Sequence, residues 1–147
     1  MPTKSYEPRT YRTRMARPGL AGFQVAVKET DLWVLAARDF YKIQNEDLLV
    51  VCDDLNLPVA KLRIRSGGSA GGQKGLEDII RRLGSDQFPR LRIGVGTPPE
   101  GWDWANFVLS KFSREESADV ELAVARAARA AVAWAREGID ACMNQYN

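Results

Sequence analysis

The chain contains no histidine. That absence removes the usual base of Ser-His-Asp or Cys-His chemistry and the commonest protein ligand for zinc. Cysteine is scarce as well. Cys52 and Cys142 lie far apart with no CxxC spacing, which argues against a disulfide framework or a cysteine metal site and fits a reduced, cytoplasmic setting. Cys52 as a nucleophile would need a base of the kind the chain lacks. Long apolar runs are also missing. None approaches the ~18 residues of a membrane span, and the N-terminus has no apolar stretch of the kind a secretory signal carries.

What is present suits one globular domain. A length of 147 residues permits a real core. The net charge of +2 is unevenly placed. Lys4, Arg9, Arg12, Arg14 and Arg17 face only Glu7 in residues 1–19, so that arm is basic and the rest of the chain slightly acidic. Such an arm can attract phosphate, or can be a terminus without defined structure. Residues 1–30 are broken by Pro2, Pro8, Pro18, Gly19 and Gly22, and only Phe23–Val27 reads as a strand. The expected organisation is a basic, poorly defined segment over 1–30 and an α/β domain over 31–147.

The pattern sharpens from Asp31, which can cap a helix to about Lys42 with Trp33, Ala36, Ala37, Phe40 and Tyr41 on one face. Leu48–Cys52 is a continuous apolar run, as expected of a strand buried on both sides. Lys61–Arg65 alternates basic and apolar residues, so it buries one face and presents Lys61, Arg63 and Arg65 on the other. Leu76, Ile79, Ile80 and Leu83 sit at i, i+3, i+4 and i+7, and Gly84 stops that helix. Leu91–Val95 predicts another strand and Trp102–Phe112 a short helix. Ser113 and Glu116 form a capping-box pattern opening an Ala-rich helix to about Arg136, and a last helix covers about Ile139–Gln145. Strands alternating with helices predict an α/β fold: a single domain with a twisted mixed, mostly parallel sheet surrounded by helices.

The chemistry-bearing residues crowd one stretch. Asp53 and Asp54 follow a strand, where α/β proteins build sites, or else cap a turn there. Adjacent carboxylates point in different directions, so at most one faces a given site. Gly67, Gly68, Gly71, Gly72 and Gly75 then open onto a helix beginning near Lys74. The Walker pattern fails because Gly75 follows Lys74, and GxGxxG is absent. What remains is a backbone able to approach a ligand, and a helix N-terminus able to meet an anion or a developing oxyanion. Lys61, Arg63, Arg65, Arg90 and Arg92 can form a phosphate-contacting patch or be solvated strand charges.

The segments DFYKI (Asp39–Ile43), LLVVCDDLNLP (Leu48–Pro58), KLRIRSGGSAGGQKGLEDIIRRLGSDQFPRLRIGVGTP (Lys61–Pro98), FVLSKFSREE (Phe107–Glu116) and GIDACMNQYN (Gly138–Asn147) closely resemble, in order and spacing, bacterial-type peptidyl-tRNA hydrolase. The resemblance implies cleavage of the ester between a peptide and the 3′ ribose of tRNA, by a cytoplasmic monomer that needs no metal or other cofactor and no membrane. It implies that Asp53 orients a histidine general base, that Gly71, Gly72 and Lys74 line the substrate site, and that Arg63 and Arg65 contact tRNA phosphate. Lys74 stands where the family has an asparagine, and Gln73 where it has a histidine. The segment from Trp104 to Phe112 matches a lid over the peptide cleft. The family's opening strand with GLGNPG, and the TRHNxGF segment that carries the base, have no counterpart here. The chain is therefore expected to lack the family's first strand and to hydrolyse poorly or not at all, since loss of a general base costs about 10²–10⁴ in rate. The alternative is a non-catalytic RNA-binding protein that keeps the tRNA-holding surface.

Overall fold

The structure, a computed structural model, describes residues 30–103, 106–107 and 110–147. The strand expected at Phe23–Val27 lies outside these residues, as do the side chain of Trp33 and the lid positions Trp104 and Val108.

Helix α1 (Thr30–Tyr41) and a 3-10 turn (Asn45–Asp47) lead into strand β1 (Val50–Asp54). Strand β2 (Leu62–Arg65), helix α2 (Lys74–Leu83) and strand β3 (Arg90–Gly94) follow. The chain closes with helices α3 (Arg114–Glu137) and α4 (Ile139–Tyr146). Among the described residues the sheet has three strands in the order β1-β3-β2. β1 runs parallel to β3, with Val50 opposite Arg90 and Asp54 opposite Gly94; β2 is antiparallel to β3, with Arg63 opposite Arg92 and Arg65 opposite Arg90. The expected mixed α/β sheet is present, with one parallel and one antiparallel pairing described.

Side-chain alternation divides the sheet into two unlike faces. On one, Leu62, Ile64 and Leu91 pack against Ala123, Ala127 and Ala130 of α3 and Cys142 of α4. Small residues at these helix positions let α3 lie close to the strands. Burial pushes the Cys142 thiol up from its usual range, and its Sγ donates to the Ala130 carbonyl at 3.2 Å. On the other face α2 places Leu76 and Ile79 against Phe88 and Ala70, with Val50 and Cys52 of β1 packed alongside. Burying two such aliphatic side chains contributes roughly 1.5–3 kcal/mol each.

The helix ends follow their sequence signals. Gly84 closes α2 with φ +66°, and its amide bonds the Ile80 carbonyl. Ser113 and Glu116 form the expected capping box on α3. At the outer edge of β2 the Asn147 side chain does the work of a strand: its Oδ1 accepts from Ile64 N at 2.6 Å and its Nδ2 donates to Ile64 O at 3.1 Å. That satisfies backbone groups an edge strand otherwise leaves open.

Two expectations change. The strand predicted at 48–52 sits two residues later, so Asp53 and Asp54 are its last members rather than its successors. Val51 is 51% exposed, so β1 is not covered on both sides; among the described residues no strand pairs with its outer edge. The second change is at Phe40, which falls on the expected α1 face yet is 79% exposed and stacked edge-on against Tyr41 at 4.9 Å. Periodicity fixes which residues share a helix face, not whether anything covers it.

Candidate functional site

The two acids of β1 part, as strand alternation requires. Asp54 is 5% exposed. Its Oδ1 accepts from Asn56 N at 2.8 Å, and its Oδ2 lies 3.2 Å from Nη1 of Arg92. Asp53 turns the other way and accepts a hydrogen bond from Nε2 of Gln73 at 3.0 Å. The same Gln73 caps α2, its Oε1 accepting from Leu76 N at 2.7 Å. One side chain thus ties the carboxylate to the mouth of the helix. The first amides of a helix have no intrahelical acceptor; Gln73 satisfies that of Leu76, and those of Lys74 and Gly75 stand at the helix mouth. An oxyanion developing there would meet N–H groups and the positive end of the helix dipole.

The glycine loop is held from below by two arginines of β3. Arg90 is 1% exposed and has no carboxylate partner among the described residues. Its guanidinium donates to the carbonyls of Gly68, Ser69, Asp86 and Phe88, and lies 4.3 Å from the Phe88 ring centroid. Burial, followed by the nearby charge of Arg92, lowers its pKa from the usual arginine value; an arginine nonetheless stays charged. Arg92 donates to Ser69 O at 2.7 Å as well as pairing with Asp54. Asn56 Nδ2 reaches Gly71 O at 3.1 Å. Gly71 has φ +60°, a conformation that favours glycine, and a Cβ there would lie 2.8 Å from Nη1 of Arg92, the end of a side chain that would have to shift.

The structure therefore brings together Asp53, Gly71, Gly72 and the start of α2, with Gln73 as the link. Lys74 opens α2, but its side chain is 89% exposed and its ammonium sits 3.3 Å from the Glu77 carboxylate, with no described contact to Asp53. Arg63 and Arg65 project from β2 on the face shared with Arg90 and Arg92, and their side chains are exposed. The basic patch expected from five residues narrows, because Arg90 and Arg92 spend their donors on the loop. Cys52 is not a nucleophile of this site: its thiol is pushed up to about 11, chiefly by burial, and stays protonated at neutral pH.

Sequence reasoning missed Gln73 as the link and Arg92 as an internal prop. Glutamine is not among the favoured N-caps, so no local signal marked it. For Arg92 the one hint was its place in the alternation of β3. Two hollows among the described residues bear on the site. One of about 480 Å³ runs beside the loop and is lined by Ser69, Gly71, Gly72, Glu77 and Ile80. A larger one of about 640 Å³, lined by Arg38, Gln44, Ser66, Ser85 and Gln87, lies at the opposite ends of β1 and β3, away from Asp53. Beside the β3 end, Trp102 packs edge-on against Phe107 at 6.4 Å, the described part of the expected short helix.

Comparison with known proteins bears on the family and the fold. The peptidyl-tRNA hydrolase family matches residues 29–147. A peptidyl-tRNA hydrolase of Rhodopirellula baltica is 50% identical over 114 residues, 78% of this chain and 60% of the relative. One of Chlorobium luteolum is 50% identical over 116 residues, 78% of this chain and 60% of the relative. The crystal structure of peptidyl-tRNA hydrolase from Acinetobacter baumannii superposes with a TM-score of 0.74 at 30% identity, covering 80% of this chain and 60% of that one. The chain spans about 60% of the length of these relatives. With a family match over four fifths of its own length, this chain belongs to the peptidyl-tRNA hydrolase family.

Proposed function

We propose that this chain acts on peptidyl-tRNA in the cytoplasm as a monomer, with its sheet end holding the ester and its basic strand holding the RNA. In hydrolysis of that ester, water adds to the acyl carbon, the carbonyl oxygen becomes an oxyanion, and the ribose 3′ oxygen leaves with a proton. The amides at the start of α2 suit the oxyanion. Asp53, held by Gln73, suits a positioning role for the proton acceptor. Gly71 and Gly72 leave space for the scissile group to approach the backbone, and Lys74 offers a flexible positive charge at the rim. Arg63 and Arg65 supply phosphate contacts. The observation that carries this reading is the Asp53–Gln73 contact at the mouth of α2.

The chain has no histidine to act as base, so turnover is expected to fall about 10²–10⁴-fold below a full-length relative. Measuring peptide release from a defined peptidyl-tRNA tests this. Turnover equal to the relative's would refute the expected deficit. Release that is unchanged by Asp53→Asn would remove Asp53 from the mechanism. The binding-only reading draws on the same exposed Arg63 and Arg65: salt-dependent tRNA affinity with no release of peptide would favour it.

A further inference from the structure

The Asp54–Arg92 ion pair under the glycine loop takes no direct part in the proposed chemistry. We infer that Asp54 and Arg92 are positioning residues that set the Asp53–Gln73 contact, and that Arg92 is not an RNA-phosphate ligand. The inference rests on the proposed peptidyl-tRNA reading only for its effect on substrate.

The contacts form a closed circuit. Asp54 holds Arg92 at 3.2 Å, and Arg92 holds Ser69 O at 2.7 Å. Its Nη1 lies under Gly71, so closely that a Cβ there would be 2.8 Å away. Two residues further on, Gln73 caps α2 and returns to Asp53, the neighbour of Asp54. Consecutive acids of one strand, facing opposite ways, thus fasten the lower and upper ends of the same loop. Shifting Arg92 would move the floor under Gly71, and Gln73 would follow. The side chains of Asp54 and Arg92 are 6% and 12% exposed, so the guanidinium is neutralised by its carboxylate and turned inward. Its cross-strand neighbour Arg63 is exposed, and among the described residues no carboxylate pairs with it or with Arg65. The basic face thereby separates into an inner arginine that shapes the loop and outer arginines free for phosphate. Neutralising Arg92 also relieves the repulsion of two like charges directly opposite on paired strands.

Two measurements test this. Amide exchange and side-chain amide resonances are compared in Asp54→Asn, Arg92→Lys and the apolar pair Asp54→Leu/Arg92→Met, the last leaving no buried charge unpaired. The Leu76 amide is expected to exchange at least about tenfold faster in either single variant, with the Gln73 side-chain amide displaced. Ile64 and Leu91 should keep their protection. Unchanged Leu76 and Gln73 signals in both single variants would overturn the inference. The second measurement is tRNA affinity against salt. Arg63→Ala and Arg65→Ala should each flatten the log–log slope by about 0.7–0.9, the share of one phosphate contact, while the apolar pair leaves the slope unchanged. Flattening by the apolar pair equal to that of Arg63→Ala would make Arg92 a phosphate ligand and overturn the second half. A parent chain with no affinity for tRNA would refute the functional reading, and the amide signals would still decide the positioning role.

Discussion

The two faces of the sheet are built on different physics. The face under α3 and α4 is dry: Leu62, Ile64 and Leu91 meet a row of alanines and Cys142. The face under the glycine loop is part polar, with Asp54 and Arg90 buried, Arg92 partly so, and all three hydrogen-bonded. Among the described side chains no buried nitrogen or oxygen lacks a hydrogen-bond partner. The apolar face is stabilised by area removed from water, which is non-directional and tolerant of small shifts. The polar face depends on distances and angles, and a group left unpaired there is costly. The consequence is a division of roles: one face holds the fold, and the other holds a loop in one conformation.

Substitutions on each face sharpen that contrast. The largest loss is expected for Leu91→Ala, about 2–5 kcal/mol through lost burial and a residual cavity. Urea unfolding should show a lower midpoint with an unchanged slope; a loss below about 1 kcal/mol would mean that the two layers close over the gap. Next comes Arg90→Met. It keeps bulk but strands several carbonyls, with an expected cost of about 1–3 kcal/mol. Its distinguishing mark is local: faster exchange of the Gly68 amide, which bonds Asp86 O, before the α3 core opens. Uniform loosening of both faces would contradict the division.

Smaller effects test the margins of the apolar side. Asn147→Ala removes both side-chain bonds to Ile64 and should cost about 1–2 kcal/mol, visible as early exchange of the Ile64 amide; full protection there would show that the edge is covered otherwise. The smallest effect concerns Glu116. Hydrogen bonds from the Ser113 amide and hydroxyl lower its carboxyl below the usual glutamate range. A depressed folded-state value means that the stabilising contribution is present above the unfolded pKa and fades as pH falls through the folded one. Protection of the first turn of α3 should therefore decline on acidification, and Glu116→Gln, which keeps the box without titrating, should abolish that decline. A decline of equal size in the Gln variant would assign it to another group.

The apolar face was readable because its signals are local and periodic. Alternation placed Leu62 and Ile64 inward and Arg63 and Arg65 outward; on the opposite face the 3.6-residue spacing picked Leu76 and Ile79 by the same kind of local signal. The capping box and Gly84 set helix ends through bonds spanning three or four residues. The polar face was only half readable. Glycine density and paired acids located it, and the family resemblance assigned Asp53. That Asp54 would pair with a residue 38 positions away, or that Gln73 would cap a helix and hold Asp53 at once, left no mark in local pattern. Phe40 failed for a related reason: a helix face is legible, while its cover belongs to other parts of the chain.

The sequence alone settled the class of fold and the order of its elements, because hydrophobic periodicity, caps and glycine turns act over a few residues. It also showed that these 147 residues hold no histidine. Only the tertiary structure decided which charges are spent inside and which stay outside. Whether an arginine binds RNA or props a loop depends on the carboxylates and carbonyls that folding brings within about 3 Å of its guanidinium, and for Arg92 those are Asp54 and Ser69.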